Sequence, residues 1–467
     1  MMTSIARQAA TVLLLVPMMG IAVIADEGKP DSGWQAEAQA LRVRMAEQDA
    51  KIAAQEIELA KLRQEVGTDW TTRADAGQIA CEVIADADTQ ATFPAAGWDK
   101  GFFLQSPDGN YRLGLLGQIQ GRYMFSTSPN AYDGATSTDF DDDRGGFEMS
   151  RIRLGFKGHV VDPSWQYFIW SGYSGTGSAL LLDAYIRKDL GDGWALTAGQ
   201  FKTPLLQEWL VSETRQQFVE RSLVNGLSGS YSQGLMLSHR DDQLNVMASV
   251  NDGLVGINSA WNTEDVESVG VTGRAEWLVC GDWAQYPDFE SWPGEQPMWV
   301  LGSGIHYQQG EYGTSGAKLS TGDEAQTIRW TVDSAVEFGG ANVFAAFVAN
   351  HLRDADMVSD IDTYGVVVQG GVFLTDDIET IARYEWGDYG VAGIDPLSIV
   401  TVGVNKFFAK HAVKWTTDVA YAFHSLNTMA DGAGNMYGWP SSAAGWQPDA
   451  DSADGQVVAR TQVQLLF

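Results

Sequence analysis

The sequence predicts an all-β fold, a 16-stranded antiparallel transmembrane β-barrel, preceded by a short N-terminal coiled-coil helix. Beyond residue 100, segment after segment alternates apolar and polar residues with a period of two. The connections between these segments alternate between tight turns and long loops rich in Asp, Ser, Gly and Asn. Aromatic residues begin or end many segments, as in the girdles at the two membrane interfaces of a barrel: Trp165, Trp194, Trp299, Tyr123, Phe125, Tyr384 and Trp386.

Residues 1–25 have the pattern of a secretory signal peptide. Arg7 precedes the apolar run AATVLLLVPMMGIAVIA, and acidic, polar residues follow. Cleavage after Ala25 fits this pattern, and an uncleaved anchor helix is the alternative. Export would place Cys81 and Cys280 in an oxidising compartment, where the two thiols either pair or stay free.

Residues 34–66 form the predicted helix. Spacings of three and four give a heptad seam of about four repeats, which comprises Ala38, Leu41, Met45, Gln48, Ile52, Gln55, Leu59, Leu62 and Val66. A short coiled coil, which implies an oligomer, is the favoured interpretation, and one amphipathic helix lying on its own domain is the alternative. Residues 67–100, with Gly, Asp, Thr and Ala and little periodicity, are predicted to be a linker.

The barrel is predicted to occupy residues 101–467. Its sixteen strands lie near 111–126, 146–160, 165–173, 180–189, 194–202, 233–240, 243–251, 269–279, 297–308, 325–337, 341–350, 362–374, 378–387, 397–408, 412–424 and 456–467. The segment 281–296 breaks the alternation, because a short turn is expected there. A soluble β-sandwich would not need the aromatic ends, whereas in lipid every backbone N–H and C=O needs a partner and the sheet must close.

Composition excludes several functional classes. The chain has 30 basic and 60 acidic residues, a net charge of −30, which argues against nucleic acid as a partner. The six histidines are scattered, without HExxH or paired-Cys zinc spacing, and no GxSxG motif is present. We therefore expect no enzyme activity, no cofactor and no metal.

The face of the strands opposite the apolar one is predicted to line a lumen. Its basic residues are Arg112, Arg122, Arg151, Arg153, Lys157, Arg187, Arg274, Arg329, Arg383 and Lys414. Its acidic residues are Asp183, Glu276, Asp333, Glu385 and Asp418, so the wall is net positive by about five charges. Arginines along a pore favour anions, because they replace part of the lost hydration. Pairing of these charges across strands, which would only keep the wall wet, is the alternative.

The long loop 203–232 carries its own apolar side, including Leu205, Trp209 and Phe218. Folding into the lumen as a constriction would bury this side, and capping the outside of the barrel is the alternative.

The stretch LTAGQFKTPLLQEWLVSETRQQFVERSLV (196–224), with SRIRLGFKGHV (150–160) and DAYIR (183–187), resembles the phosphate-selective porin O and P family. Its densest motif is G-Q-F-K-x-P, followed by a polar stretch and E-R-S. The resemblance implies a sixteen-stranded, trimeric outer-membrane channel whose third loop folds inward. The matching basic positions near the constriction are Lys202, Arg215 and Arg221, which interleave with Glu208, Glu213 and Glu220.

Together these features predict an outer-membrane porin, a water-filled channel for passive diffusion of small solutes and ions with a preference for anions, phosphate among the candidates. A structural anchor in the outer membrane, whose periplasmic coiled coil tethers the cell wall or a partner, is the alternative. Membrane lipid and two further copies of the chain, in a homotrimer, are the other expected partners. Phe467 in the closing strand RTQVQLLF resembles the signal read by the outer-membrane barrel assembly machinery.

Overall fold

The computed structural model describes residues 95–98, 101–128, 143–173, 178–254, 269–309, 312–314, 317–320, 326–353, 360–426, 428–430, 436–439, 444–447 and 454–467, together with Lys51 and Ala53. The predicted signal peptide, Cys81 and all of the predicted coiled coil except Lys51 and Ala53, which are helical, lie outside the described residues. Cys280 is exposed and forms no disulfide within the described part of the chain. In the described part of the chain, no helix has the length and hydrophobicity to cross a membrane.

The described strands follow the predicted order. Their bounds are β1 Ala95–Trp98, β2 Phe102–Gln105, β3 Arg112–Thr127, β4 Asp143–Val160, β5 Asp162–Tyr173, β6 Ala179–Gly191, β7 Trp194–Lys202, β8 Tyr231–Arg240, β9 Leu244–Asn251, β10 Val269–Cys280, β11 Met298–Gln309, β12 Tyr312–Thr314, β13 Ala317–Ser320, β14 Gln326–Glu337, β15 Ala341–Arg353, β16 Ile361–Thr375, β17 Ile378–Asp388, β18 Leu397–Phe407, β19 Val413–Ala422, β20 Thr428–Ala430, β21 Met436–Gly438 and β22 Gln456–Leu466.

Eighteen of these strands form one sheet, in which β1 and β2 are a hairpin attached to the start of β3. The other sixteen pair antiparallel with their neighbours, and β22 pairs with β3 from Val457↔Thr127 to Leu466↔Gln118, which closes the ring. The prediction of a closed sixteen-stranded barrel is confirmed. The predicted linker extends to residue 100, but β1 at Ala95–Trp98 already belongs to the sheet. Strands β12–β13 and β20–β21 form small hairpins in long loops.

The two faces of each strand differ in chemistry. In β14, Ile328, Trp330 and Val332 are exposed on the outside of the barrel, whereas Arg329 and Thr331 between them are buried inside. Because side chains alternate across a strand, this pattern gives the barrel an apolar outer surface. The sequence pattern predicts this outer face correctly.

The inner face is only partly polar, which corrects the expectation that it lines a wet lumen throughout. On β15 to β18, inward side chains such as Phe344, Val348, Val367, Leu397 and Ile399 are almost fully buried in one hydrophobic cluster. The other members of this cluster include residues from the segment 203–230 between β7 and β8 and from the connection between β10 and β11. One half of the barrel interior is therefore packed like the core of a soluble protein.

The segment 281–297 is the irregular connection that the sequence pattern indicated. It lies at the end of the barrel where the short turns occur, and it carries buried Tyr286, Phe289 and Ser291. Phe289 packs against Phe344 with ring centroids 4.9 Å apart. The side-chain amide of Gln207 donates a hydrogen bond to the Tyr286 carbonyl at 2.9 Å. The segment 281–297 therefore contacts the segment 203–230, which enters from the opposite end of the barrel.

Candidate functional site

The segment 203–230, called the inner loop below, lies inside the barrel. It contains a short helix, α1 (Gln207–Leu210), and two 3₁₀ turns, Glu213–Arg215 and Val224–Leu227. Ser212 begins the first 3₁₀ turn by accepting a hydrogen bond from the Thr214 amide. Leu205, Leu206 and Val224 are fully buried, because the apolar side of the loop packs on the apolar half of the wall.

Backbone groups of the inner loop are satisfied by wall side chains. The Leu205 carbonyl accepts hydrogen bonds from Arg274 at 2.7 Å and from Thr331 at 2.6 Å. Lys414 donates to the Gln216 carbonyl at 2.6 Å, and the Val219 amide donates to Asp418 at 2.9 Å. These contacts come from β10, β14 and β19, so the loop is fixed across a wide arc of the barrel.

Glu220 of the inner loop binds two arginines on β3 and β4. Its carboxylate pairs with Arg122 and, at 2.6 Å, with Arg151. Arg122 also pairs with Glu148 at 2.7 Å. Burial alone would raise the pKa of the Glu220 carboxyl, but the charges of Arg151 and Arg122 hold it below its ordinary value.

Glu213 is the centre of a second charge cluster. Its carboxylate lies 2.7 Å from Arg153, 3.0 Å from Arg221 and 3.8 Å from Lys202. Burial would raise the pKa of Glu213, yet the three cations hold it well below its usual range, so the carboxylate stays ionised. The Lys202 ammonium also donates to the Trp209 carbonyl at 2.9 Å.

The exposure of the inward side chains locates the open passage through the barrel. The side chains of Arg151 and Arg153 on β4 are 17% and 12% exposed, whereas Arg274 on β10 and Arg460 on β22 are 0% and 1% exposed. Phe168 and Trp170 of β5 and Asp183, Tyr185 and Arg187 of β6 face inward and are likewise only half-buried. Water therefore reaches the wall along β4, β5 and β6, where the inner loop does not cover it.

Three aromatic side chains lie on this uncovered wall. Phe168 and Trp170 of β5 and Tyr185 of β6 are half-buried. The Phe168 centroid is 6.2 Å from that of Trp170 and 5.5 Å from that of Tyr185. The Trp170 ring covers Gly155, where a Cβ atom would come within 2.1 Å of it. We call these residues the aromatic wall. Their inward position is not predicted by the sequence pattern, because aromatic residues in an alternating strand usually mark the lipid face.

The predicted wall cations divide into those on the passage and those away from it. Arg151, Arg153, Lys157 and Arg187 lie on β4 and β6, on the uncovered side. Arg112 lies near the short-turn end, with its guanidinium 4.1 Å above the Phe103 ring. The remaining predicted cations are buried; they are Arg122, Arg274, Arg329, Arg383 and Lys414.

Ion pairs explain why some of those arginines can be buried. Arg274 pairs with Glu276 at 2.7 Å and bidentately with Asp333 at 2.7 and 2.8 Å. Arg383 pairs with Glu385 at 2.9 Å. Pairing of the wall charges with one another, within a strand and across strands, therefore describes this half of the barrel, as the alternative interpretation predicts.

Two of the predicted constriction residues have other surroundings. Glu208 is fully buried and accepts hydrogen bonds from the Ser222 amide at 2.7 Å and hydroxyl at 2.6 Å, which braces the loop internally. Arg215 lies near Asp288 of the segment 281–297 rather than beside Glu213. Sequence spacing alone did not separate these roles.

Asp288, Glu290 and His411 form a cluster of potential metal ligands among the described residues. Their oxygen and nitrogen ligand atoms lie within 4.8 Å of one another. The His411 imidazole is 3.1 Å from Asp288 and 3.6 Å from Glu290, and Lys414 is 3.7 Å from Glu290. Burial raises the pKa of both carboxyls and lowers that of His411 to about 4. Since Lys414, Lys410 and Arg215 already supply positive charge, the cluster serves as an ion-pair anchor for the segment 281–297.

Comparison with known proteins identifies the family. The profile of the phosphate-selective porin O and P family matches residues 127–385, more than half of the chain. The chain belongs to this porin family. The protein is accordingly an outer-membrane channel, and the resemblance noted in the sequence is confirmed.

The porin also resembles solved barrels at low identity. The outer-membrane protein OmpT of Vibrio cholerae is 12% identical, with 77% of this chain and 98% of that chain covered and a TM-score of 0.48. The outer-membrane channel DcaP of Acinetobacter baumannii is 10% identical, with 78% and 99% covered and a TM-score of 0.47. Likenesses of this size carry no argument about function. No curated protein matches the chain.

Proposed function

We propose that this porin is a passive diffusion channel for small solutes with a preference for anions. The observation that carries the proposal is the charge of the passage beside β4, β5 and β6. The cations on it are Arg122, Arg151, Arg153, Lys157, Arg187, Lys202 and Arg221, whereas the carboxylates are Glu148, Asp183, Glu213 and Glu220, which leaves three more cations than carboxylates. The excess of cations lowers the energy of an anion that has lost part of its hydration.

The carboxylates shape how an anion would pass. Glu213 and Glu220 already occupy donors of Arg153 and Arg151 at 2.7 and 2.6 Å. An incoming anion would use the remaining guanidinium N–H groups and would be held weakly enough to leave. This arrangement supports a general anion channel; phosphate is one candidate solute among small anions.

The reversal potential of a planar bilayer in a salt gradient tests this proposal. We expect a potential of the sign given by anion preference, and a shift toward cations when Arg151 and Arg153 are both replaced by Gln. Lys406→Gln is the matched control, because it removes one cation at a short turn, where Lys406 pairs with Asp377 outside the passage. Cation preference of the wild-type channel would overturn the proposal.

We further propose the assembly that the sequence pattern favours. Residues 1–25 direct export, 34–66 form a periplasmic coiled coil that clamps a homotrimer, 67–94 form the linker, and the barrel with its attached hairpin begins at β1. Deleting 34–66 should weaken the trimer on native electrophoresis while leaving the conductance of a single barrel unchanged. A loss of conductance from folded, deleted protein would contradict this division of roles.

A further inference from the structure

The aromatic wall of Phe168, Trp170 and Tyr185 is unusual for a water-filled passage. A barrel lumen is generally polar, and most other aromatic side chains on the described strands lie on the lipid face or in the buried half. In the inner loop, Trp209 is also half-buried, with the Lys202 ammonium 5.0 Å and the Arg221 guanidinium 5.2 Å from its ring centroid. In the aromatic wall three rings lie together and remain half-buried beside the passage. A cluster of partly exposed apolar side chains with a polar rim is the usual composition of a small-molecule site.

The register of the strands shows that these rings face inward. Trp170 pairs with Asp183 of β6, and Asp183 interacts with the inward cations Lys202 and Arg153 and with Glu213 of the inner loop. Phe168 pairs with Tyr185, two residues further along β6 on the same face as Asp183. Ile169 and Ile186, on the opposite face, are exposed toward lipid.

Basic side chains lie at both ends of the aromatic wall. Arg153, which binds Glu213, is two residues from Gly155, the residue that the Trp170 ring covers. Lys157 pairs in register with Phe168, and Arg187 is two residues beyond Tyr185. Two residues along a strand correspond to about 7 Å, which is close to the distance from the ring centre to the carboxylate oxygens of a small aromatic acid plus one hydrogen bond.

We propose that the aromatic wall is a binding subsite for small aromatic carboxylates on their way through the channel. The ring of the solute would stack on Trp170 and Phe168, while its carboxylate accepts hydrogen bonds from Arg153 on one side or from Lys157 and Arg187 on the other. This inference rests on the proposed anion channel and names a class of solute for it. The one carboxylate on this stretch of wall, Asp183, disfavours a solute anion at its own position and favours the two basic ends.

Block of chloride conductance by two matched acids tests the subsite. Benzoate and cyclohexanecarboxylate have the same charge and a similar size, but only benzoate has a planar π-system. We expect benzoate to half-block the wild-type channel at a concentration roughly three- to tenfold lower, the factor expected from one aromatic pair. An apolar surface that binds by the hydrophobic effect alone would be blocked more strongly by cyclohexanecarboxylate, whose ring is the more hydrophobic. Block by acetate measures the contribution of the carboxylate alone.

The variant Phe168→Leu/Trp170→Leu keeps the wall apolar and removes its rings, so the difference between the two acids should vanish. The matched control is Trp330→Leu/Phe347→Leu, which removes a ring pair with centroids 5.0 Å apart on the lipid face. If the first variant does not fold, as judged by heat-modifiable migration on SDS gels, Tyr185→Leu serves in its place and should reduce the difference.

Two results would overturn the inference: equal block by both acids in the wild-type channel, or an unchanged difference in the inward-facing variants. The reversal potential in chloride judges the proposed function separately. A channel that prefers anions but blocks equally with both acids would retain the proposed function and lose the aromatic subsite.

Discussion

Replacement of Glu213 by Gln is the sharpest single test of how the passage works. The Glu213 carboxylate partly neutralises Arg153, Arg221 and Lys202 at 2.7, 3.0 and 3.8 Å. The substitution keeps the shape of the side chain and removes one negative charge from the passage. The passage therefore becomes more positive by one charge. No other carboxylate of the inner loop is close enough to these cations to replace it.

The size of the effect follows from Coulomb's law. A unit charge acting through water on an ion about 7 Å away contributes about 0.6 kcal/mol. That energy raises the local concentration of anions about threefold and lowers that of cations about threefold. The anion-to-cation permeability ratio should therefore rise by roughly eightfold at low ionic strength.

The assay is the reversal potential of reconstituted channels, measured near 0.1 M and again near 1 M salt. The Debye length falls from about 10 Å to about 3 Å between these concentrations, so the shift should nearly disappear at the higher one. Asp377→Asn is the matched control, since it removes one carboxylate at a short turn, where Asp377 pairs with Lys406. An absent shift, a shift toward cations, or an equal shift in the control would refute the reasoning. A large rise in conductance would mean that the inner loop moves when Glu213 is replaced. That result would contradict the view that the hydrogen bonds from β10, β14 and β19 hold the loop in place.

Three further outcomes are expected. The shift in reversal potential caused by Glu213→Gln should be the same at pH 7 and at pH 5, because a depressed carboxyl pKa keeps Glu213 ionised over this range and its charge is lost only as the pH falls through that lowered value; a smaller shift at pH 5 would contradict this. Val224 is 0% exposed, so Val224→Asp should place a charge in the buried half, displace the inner loop and raise the single-channel conductance. Gly226→Asp, at an exposed position of the same loop, should leave the conductance unchanged. Phe467→Ala should lower the yield of heat-modifiable barrel in cells far more than the exposed Phe408→Ala, since Phe467 exchanges main-chain hydrogen bonds with Gly117 and its ring covers that glycine; equal yields would argue against the assembly role.

The barrel itself could be predicted from local pattern. Alternation of period two is a property of each strand alone, since one face meets lipid and the other does not. Strand number then follows from counting, and closure follows from the requirement that edge groups in a membrane be paired. The segment 281–296 was recognisable as an exception by its length, but its place in the interior was not.

The functional site depended on contacts between distant segments. Arg153 and Arg274 look alike in sequence, each an inward arginine in an alternating strand, yet one borders the passage and the other is 0% exposed beside Asp333. The difference comes from the inner loop, whose apolar side is attracted to the apolar inward residues of β15 to β18 and leaves β4 to β6 uncovered.

Sequence by itself therefore determined the fold, the family, the inward-facing register and an excess of basic residues on the inner face. Tertiary structure alone decided which of those residues meet water, because burial depends on where the inner loop and the segment 281–297 pack. It also decided that Phe168, Trp170 and Tyr185 share one uncovered surface. Their convergence requires the pairing of β5 with β6, which strand-by-strand alternation does not encode.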